Sequence, residues 1–258
     1  MREMLPAERR ARIVSALQVQ RAVRVTALSD DLGVSEITIR RDLLLLEREG
    51  VLKRTYGGAV LRRRMTSEPE YKENVVAHAP EKERIARAAA SMIEPRDTIF
   101  LGSGTTAAQM LRYVDPDLEA RIVTHNLAAA AALEARAHRL EFVFLGGLYR
   151  PQLGAVEGSW SLDMIEQFHA DKAFLGADCL DVSAGLTTPS IAVASIELAM
   201  VRRTRGEVIV LADSSKVGLV GAVVICPLDQ VDIVLVDDGL DKRICEQIKR
   251  AGPQCELV

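Results

Sequence analysis

The segment between Gly33 and Gly50 has the apolar spacing of one short amphipathic helix bounded by two glycine breaks. At 100° per residue, Ile39, Leu43 and Leu46 share a single face, which predicts that this face packs against other helices. A glycine directly after the periodic stretch is typical of a left-handed helix end. The pattern therefore predicts a compact helical domain in which one side of this helix is buried.

Two further helices are predicted in front of it. The first covers about residues 7–18, and the second follows Thr26, which is placed to cap it, and ends at Gly33. Ser35 then stands where the cap of the third helix belongs. Two helices joined by about three residues with a glycine in the turn form a helix-turn-helix.

The outward face of the third helix is polar and cationic. Ile37 and Arg41 lie opposite the apolar face and are flanked by Thr38 and Arg40. Guanidinium, hydroxyl and methyl groups suit phosphates, guanine edges and thymine methyls in a major groove, and Ser35 with the free N–H groups of the helix start can hold a phosphate. Double-stranded DNA is the predicted partner; the alternative is a winged helix used only for protein contacts.

The residues after Gly50 predict a β-hairpin wing. The stretch VLKRTYGGAV is β-prone, carries Arg54 and Tyr56, and contains a predicted turn at Gly57 and Gly58. Residues 1–64 hold 14 basic and 8 acidic residues, whereas the remainder holds 19 basic and 28 acidic residues. A basic head on an acidic body favours contact of the head with a polyanion, although an ordinary solvated surface has the same composition.

The rest of the chain predicts an α/β domain. Residues 61–80 are charged, contain two prolines and lack periodicity, so they are interpreted as a linker between domains at 1–60 and 81–258. Beyond them, apolar strands alternate with helices, which predicts a largely parallel, Rossmann-like sheet covered on both faces. The predicted strands are 98–101, 121–123, 141–145, 172–175, 208–211 and 231–236, and the predicted helices are 81–92, 127–137, 159–168, 191–203 and 242–250.

Small and polar residues follow five of the predicted strands. In such sheets ligands bind beyond the carboxyl ends of the strands, so these residues are the candidate ligand site. The loop after the first strand is either a phosphate cradle or a tight strand-to-helix turn, and the sequence leaves both open. Lys216 is predicted to hold a phosphate, and Asp178 to hold sugar hydroxyls together with Thr124 and Asn126. The full set is Ser103, Gly104, Thr105, Thr106, Thr124, Asn126, Gly146, Gly147, Asp178 and Lys216.

The stretch LGVSEITIRRDLLLLEREGVLKRTYGGAV resembles the DeoR family of bacterial regulators. That family combines a VS-x-x-TIRRDL recognition helix with an R-x-x-GGA wing, and the resemblance covers residues of about 6 to 60. It implies contacts with bases and phosphates from Ser35, Ile37, Thr38, Arg40 and Arg41, with Arg54, Gly57 and Gly58 in the wing.

The body also resembles this family, whose sensor domain is similar to ribose-5-phosphate isomerase. SGTT, LGG, DKAFLGAD, GLTTP and LADSSKVG carry the resemblance, which implies a phosphorylated sugar as effector and a repressor of carbohydrate genes. The chain departs from the family's pattern at Gly102, commonly acidic, and at His125, commonly Asn. Leu175 and Ser195 stand where the isomerases keep carboxylates, which implies binding without turnover. The alternatives are an isomerase carrying a DNA-binding domain, and a DNA-binding protein whose body only dimerises.

The lengths of the apolar runs and the pattern of the first residues predict a cytoplasmic protein without a membrane span or a signal peptide. The four cysteines form no CxxC pair and have no histidine at ligand spacing, so reduced thiols, no metal and no cofactor are expected. A helix-turn-helix typically works on paired half-sites, so a homodimer or a higher homo-oligomer is expected.

Overall fold

The computed structural model describes residues 4–20, 22–61, 63–68, 70–133 and 139–258. Arg62 and Pro69 of the predicted linker, and residues 134–137 of the predicted helix 127–137, lie outside them. The chain forms two compact units, Met1–Arg63 and Arg64–Val258.

The first unit contains three helices and a three-stranded antiparallel sheet. Ile13, Leu17, Ile39, Leu43 and Leu46 are buried in its core, so the predicted apolar face of the third helix is confirmed. Its elements are α1 (Pro6–Gln20), β1 (Ala22–Arg24), α2 (Val25–Leu32), α3 (Glu36–Arg48), β2 (Leu52–Thr55) and β3 (Gly58–Leu61).

The helix ends follow from local chemistry. The Ser35 side chain accepts a hydrogen bond from the Thr38 backbone N–H at 3.3 Å, so Ser35 caps α3 as predicted. The prediction that Thr26 caps α2 is wrong, because strand β1 runs directly into the helix. Arg24 is the extended residue before the helix, and Val25, its first residue, is buried.

The wing turn lies one residue earlier than predicted. Thr55 pairs with Gly58, so the turn consists of Tyr56 and Gly57, and Gly57 adopts a φ of 80°. Gly58 is a strand residue instead, because a Cβ there would lie 2.0 Å from the carbonyl oxygen of Val23 on the neighbouring strand. One glycine therefore serves the turn and the other a close approach between strands.

The second unit is built on a seven-stranded sheet in which every pairing is parallel. This confirms the predicted α/β class, and the carboxyl ends of the strands meet at one edge. The sheet also has an edge strand, β17, that the sequence analysis did not predict. The strand order is β17 (Gln254–Leu257), β16 (Ile233–Val236), β13 (Thr204–Ala212), β10 (Ala170–Gly176), β5 (Thr98–Leu101), β6 (Arg121–Thr124) and β7 (Glu141–Phe144).

Helices cover both faces of this sheet, and neighbouring strand residues alternate between two cores. Phe100 packs on one face with Leu175 and Val210, whereas Phe174 packs on the other with Ile209. The helices are α4 (Tyr71–Val76), α5 (Ala79–Ser91), α6 (Thr105–Met110), α7 (Ala128–Leu133), α8 (Ser159–Ile165), α9 (Ile191–Arg203) and α10 (Lys242–Ala251), with 3-10 turns at Ser214–Lys216 and Leu228–Gln230.

Short strands complete the unit. One three-stranded antiparallel sheet and two small ladders border the large sheet. They consist of β11 (Cys179–Asp181), β12 (Gly185–Thr188) and β15 (Val223–Cys226), of β8 (Leu148–Arg150) with β9 (Ala155–Glu157), and of β14 (Leu219–Val220) with β4 (Arg63–Arg64). Among the described helices, none combines the length and the apolar character that a bilayer span requires.

Candidate functional sites

The outward face of α3 carries the side chains that the sequence analysis selected. Ile37 is 75% exposed, Arg40 and Arg41 are exposed, and Thr38 is half-buried. The Thr38 hydroxyl lies 2.9 Å from the Ser35 hydroxyl. The start of α3 thus presents an apolar tip, hydroxyls and guanidinium groups together.

The three arginines of this surface differ in their pairing. Arg40 forms an ion pair with Glu36 one turn earlier at 2.8 Å, and Arg54 of the wing forms one with Glu47 at 3.2 Å. Arg41 has no ion pair within the described part of the chain. Its guanidinium is therefore the charge most available to an external anion.

The wing and α3 together form a concave surface. Arg40, Arg54, Gly57 and Gly58 line the same depression, and Tyr56 at the tip of the turn is fully exposed. The predicted residues of the wing and the helix thus lie side by side, with a cationic and an aromatic group at the rim.

The second unit has a cleft at the carboxyl edge of its parallel sheet. Six of the ten residues predicted for the ligand site line this cleft: Ser103, Gly104, Thr105, Thr106, Asp178 and Lys216. The loop after β5, the end of β10 and the turn after β13 supply them, as parallel strand ends should.

Two ionisable residues on helices, which the sequence analysis missed, also line the cleft, together with Asp213 after β13. Lys82 on α5 and Glu197 on α9 are buried to 2% and 1% exposure. Each lies on the apolar face of its helix, at positions whose neighbours one turn away are Ile85 and Val193. In the sequence, a charged residue that interrupts the apolar face of a helix is the signal by which these two residues could have been found.

Hydrogen bonds fix both side chains. The Lys82 ammonium donates to the backbone carbonyl of Asn74 on α4. The Glu197 Oε1 atom accepts from the Ser103 N–H at 3.2 Å and from the Ser103 hydroxyl at 2.9 Å. Asp178 accepts a hydrogen bond from the Thr188 hydroxyl at 2.8 Å. The two carboxyl groups thus lie beside the loop that is the candidate phosphate cradle.

Burial changes the titration of these groups. Burial and, to a smaller extent, the nearby Asp178 raise the pKa of Glu197 to about 8, although the two hydrogen bonds from Ser103 oppose this shift. Burial also raises the pKa of Asp178, although the Thr188 hydroxyl and Lys216 oppose this. Burial lowers the pKa of Lys82, with Asp213 opposing and Lys216 adding to the shift. The cleft therefore combines two ammonium groups with carboxyl groups that resist ionisation.

Thr124 and Asn126 lie behind the cleft rather than in its lining. The Thr124 hydroxyl donates to the carbonyl of Leu101 at 2.7 Å, and the Asn126 amide donates to the carbonyls of Gly102 and Gly104 at 3.2 and 3.0 Å. Both side chains are buried and hold the loop after β5 in place. In this geometry, neither side chain is placed to make the predicted contact with a sugar.

Gly146 and Gly147 also lie outside the cleft lining. The carbonyl of Gly146 accepts a hydrogen bond from the Ser161 hydroxyl at 2.6 Å. Gly147 has a φ of 155°, and a Cβ there would lie 2.5 Å from the carbonyl oxygen of Glu157. Gly147 thus permits close packing between the end of β7 and the β9–α8 region.

The cleft is narrow. Its free volume is about 40 Å³, which holds only a few water molecules. Helix α4 forms one wall through Asn74. Within the described residues, no group of three or more His, Cys, Asp or Glu side chains is placed to hold a metal ion.

Two family models match the chain. The DeoR-like helix-turn-helix domain matches residues 9–64, and the DeoR C terminal sensor domain matches residues 77–238. Solved structures show lower similarity. A ribose 5-phosphate isomerase from Methanocaldococcus jannaschii is 20% identical with a TM-score of 0.40 over 55% of each chain. The sorbitol operon regulator SorC of Klebsiella pneumoniae is 12% identical with a TM-score of 0.38, over 82% of this chain and 95% of that one.

Curated relatives match over nearly their whole length. The HTH-type transcriptional regulator GlpR of Haloferax volcanii is 34% identical over 96% of both chains. The transcriptional repressor AccR of Agrobacterium fabrum is 31% identical over 90% of both chains. With both family models and these relatives, the chain belongs to the DeoR family of transcriptional regulators.

Proposed function

We propose that the protein is a repressor of carbohydrate genes that binds duplex DNA through α3 and the wing and is controlled by a phosphorylated sugar in the cleft. The observation that carries the proposal is the division of α3, which buries Ile39, Leu43 and Leu46 and leaves Ile37 and Arg41 outside. The repressor named among its relatives supports the sign of regulation. Such a protein acts in the cytoplasm, where the DNA is.

Arg41 is the residue for which we expect the largest single contribution to base recognition. Its side chain is exposed on the first turns of α3 and has no ion pair among the described residues. Replacing Arg41 by Ala removes a contact with a base edge and should weaken specific binding by about 1–3 kcal/mol. Fluorescence anisotropy with a duplex that the wild-type chain selects from a random library measures this loss.

Arg48 is the matched control for this change. It is also exposed on α3 but lies in the last turn, roughly 10 Å along the axis from Arg41. Arg48→Ala removes the same charge and should leave the preference for the selected duplex over a scrambled one unchanged. Equal losses in the two variants would mean that Arg41 contributes only charge.

The cleft supports an anionic sugar as the effector. Lys82 and Lys216 supply positive charge, and the hydroxyls of Thr105 and Thr106 supply donors at the same wall. Asp178 is a candidate acceptor for sugar hydroxyls. Because the free volume is small, we propose that α4 moves away from the strand ends when a sugar phosphate binds. This movement supplies the two conformations that an effector must bind unequally to change DNA affinity.

Lys216 is the residue whose removal should disable sensing and leave DNA binding intact. Losing one charge-assisted hydrogen bond to a phosphate should weaken sugar-phosphate binding in Lys216→Ala by about 1.5–3 kcal/mol. Isothermal titration calorimetry with a panel of phosphorylated sugars measures the affinity. Lys249→Ala, which alters an exposed lysine of α10 that pairs with Glu246, is the control. Equal affinities in the two variants would remove Lys216 from the site.

We propose a homodimer as the working unit, since paired half-sites in DNA call for two copies of α3. Exposed apolar side chains on the second unit support this assembly. They lie on α8 and α9, which contact each other, and on β8, whose partner strand β9 contacts both helices: Trp160, Ile191, Leu148 and Tyr149.

A sugar-phosphate isomerase is the second candidate function, and Glu197 is the observation that favours it. Leu175 and Ser195 stand where the isomerases keep carboxylates, which predicts that the chain does not catalyse this reaction. Glu197 and Asp178 nevertheless place two carboxyl groups in the cleft, where one can act as a base. We propose that the protein is not an enzyme, as its regulator relatives indicate; turnover of ribose 5-phosphate or close analogues by the purified chain, lost in Glu197→Gln, would contradict this.

A further inference from the structure

Glu197 is a buried group that has no role in the DNA binding or the phosphate binding proposed above. Its Oε1 atom is occupied by two donors from Ser103. Its Oε2 atom is buried and has no hydrogen-bond partner among the described residues. A buried carboxyl oxygen without a partner costs free energy, and the cost is far larger when the group is ionised.

The arrangement of the two oxygens indicates the protonation state. An ionised carboxylate would need donors at both oxygens, but both of its donors converge on Oε1. A neutral acid instead accepts at one oxygen and carries a hydrogen on the other, which can then donate to a partner. The raised pKa of Glu197, at about 8, agrees with this geometry.

We infer that Glu197 is a neutral acid at physiological pH and donates the Oε2 hydrogen to an anionic oxygen of the bound effector. The inference rests on the proposed function, in which a phosphorylated sugar opens the cleft. A ligand oxygen beside the Ser103–Thr106 loop then accepts the hydrogen bond from Oε2, for which the described residues offer no acceptor. Glu197 thereby selects ligands with a hydrogen-bond acceptor at this point.

Other ionisable groups of the cleft also affect how phosphate binding depends on pH, so they must be separated from the contribution of the Glu197 donor. Those that face Glu197 or share the cleft with it belong to the ends of β10, β13 and β15, to the 3-10 turn and to α5. They are Asp178, Asp213, Cys226, Lys216 and Lys82. Because burial lowers the pKa of Lys82, this lysine also loses charge on the alkaline side. A comparison of two chains that share Lys82 cancels its contribution.

The first experiment titrates inorganic phosphate by calorimetry between pH 7.5 and 9.5, where phosphate is dianionic. In the wild-type chain, ionisation of Glu197 removes the donor and adds a repelling charge, so the affinity should fall by up to about tenfold per pH unit above pH 8. Glu197→Gln keeps a donor at this place and cannot ionise. Its affinity at pH 7.5 should lie within about threefold of the wild type, and its affinity should decline less steeply with rising pH than that of the wild type.

Glu197→Leu fills this place with an apolar side chain and removes the donor, so it should weaken phosphate binding by about 10–100-fold. Two results would overturn the inference: tighter phosphate binding by Glu197→Gln at pH 7.5, as removal of a negative charge would give, or equal losses in the Gln and Leu variants. Glu197→Gln alone keeps the test valid if the Leu variant does not fold.

A ligand-free measurement separates this inference from the proposed function. Carbon-13 NMR of the wild-type chain labelled at glutamate, assigned with Glu197→Gln, follows the protonation of the carboxyl group directly. Titration near pH 4 would overturn the inference even if sugar phosphates bind. Failure of phosphate to bind the wild-type chain would overturn the effector site and with it the ligand contact, whereas the NMR titration would still report the neutral acid.

Discussion

Replacing Asp42 by Ala should destabilise the first unit by about 3–5 kcal/mol. Asp42 is next to Arg41 in sequence but points the other way, into the core, where its Oδ2 atom lies 2.5 Å from Nε of Arg9. Both side chains are nearly inaccessible, at 5% and 11% exposure. The substitution leaves the Arg9 guanidinium buried without its partner, which costs much of the 5–15 kcal/mol that stabilises a typical domain.

Hydrogen exchange of the α3 amides measures this loss in the full chain, since the single tryptophan, Trp160, reports on the other unit. Two controls separate the buried pair from charge in general. Arg12→Ala breaks the exposed pair with Glu8 and should cost less than about 0.5 kcal/mol. An Arg9→Met/Asp42→Leu double variant should recover most of the stability. Unchanged protection of α3 in Asp42→Ala would show that the pair contributes nothing.

The sequence predicted the elements whose apolar pattern is complete within the element. Strand Thr98–Leu101 and helix Ile191–Arg203 have the predicted bounds, because a buried strand and a long helix each bury a continuous apolar run. Helix Tyr71–Val76 lies in the predicted linker, and its short charged sequence gave no such pattern. Contacts from elsewhere hold it, including the hydrogen bond from the Tyr71 N–H to the Gln152 carbonyl at 2.7 Å.

The sequence could predict those residues of the candidate cleft that follow a strand. Ser103–Thr106, Asp178 and Lys216 follow strands, and a parallel sheet brings its strand ends together. Lys82 and Glu197 arrive on helices, and which helix crosses the strand ends depends on tertiary packing. Asn126 shows the converse: it follows a strand, but its donors are used by the neighbouring loop. The type of residue at a strand end does not determine whether it faces a ligand.

His125 is expected to make the second unit sensitive to acid. Its ring is buried, the Nδ1–H donates to the Val156 carbonyl at 2.9 Å, and Nε2 has no partner among the described residues. Burial lowers the pKa of His125 to about 4, which the hydrogen bond to Val156 only partly offsets. The ring is therefore neutral in the folded chain at neutral pH.

The sign of the effect follows from proton binding. Between pH 6.5 and 4 the unfolded chain holds a proton on His125 that the folded chain does not, so the free energy of unfolding falls as the pH falls. A shift from 6.5 to about 4 corresponds to roughly 3 kcal/mol between pH 7 and pH 4. Asparagine is uncharged at every pH, so His125→Asn should lose about this much less stability on acidification than the wild type. Urea unfolding of the second unit at pH 7 and pH 4.5, followed by Trp160 fluorescence, measures the difference.

His169→Asn, at an exposed histidine, should behave like the wild type. Equal acid sensitivity in the His125 and His169 variants would mean that buried carboxyl groups, rather than this imidazole, limit the stability of the unit in acid.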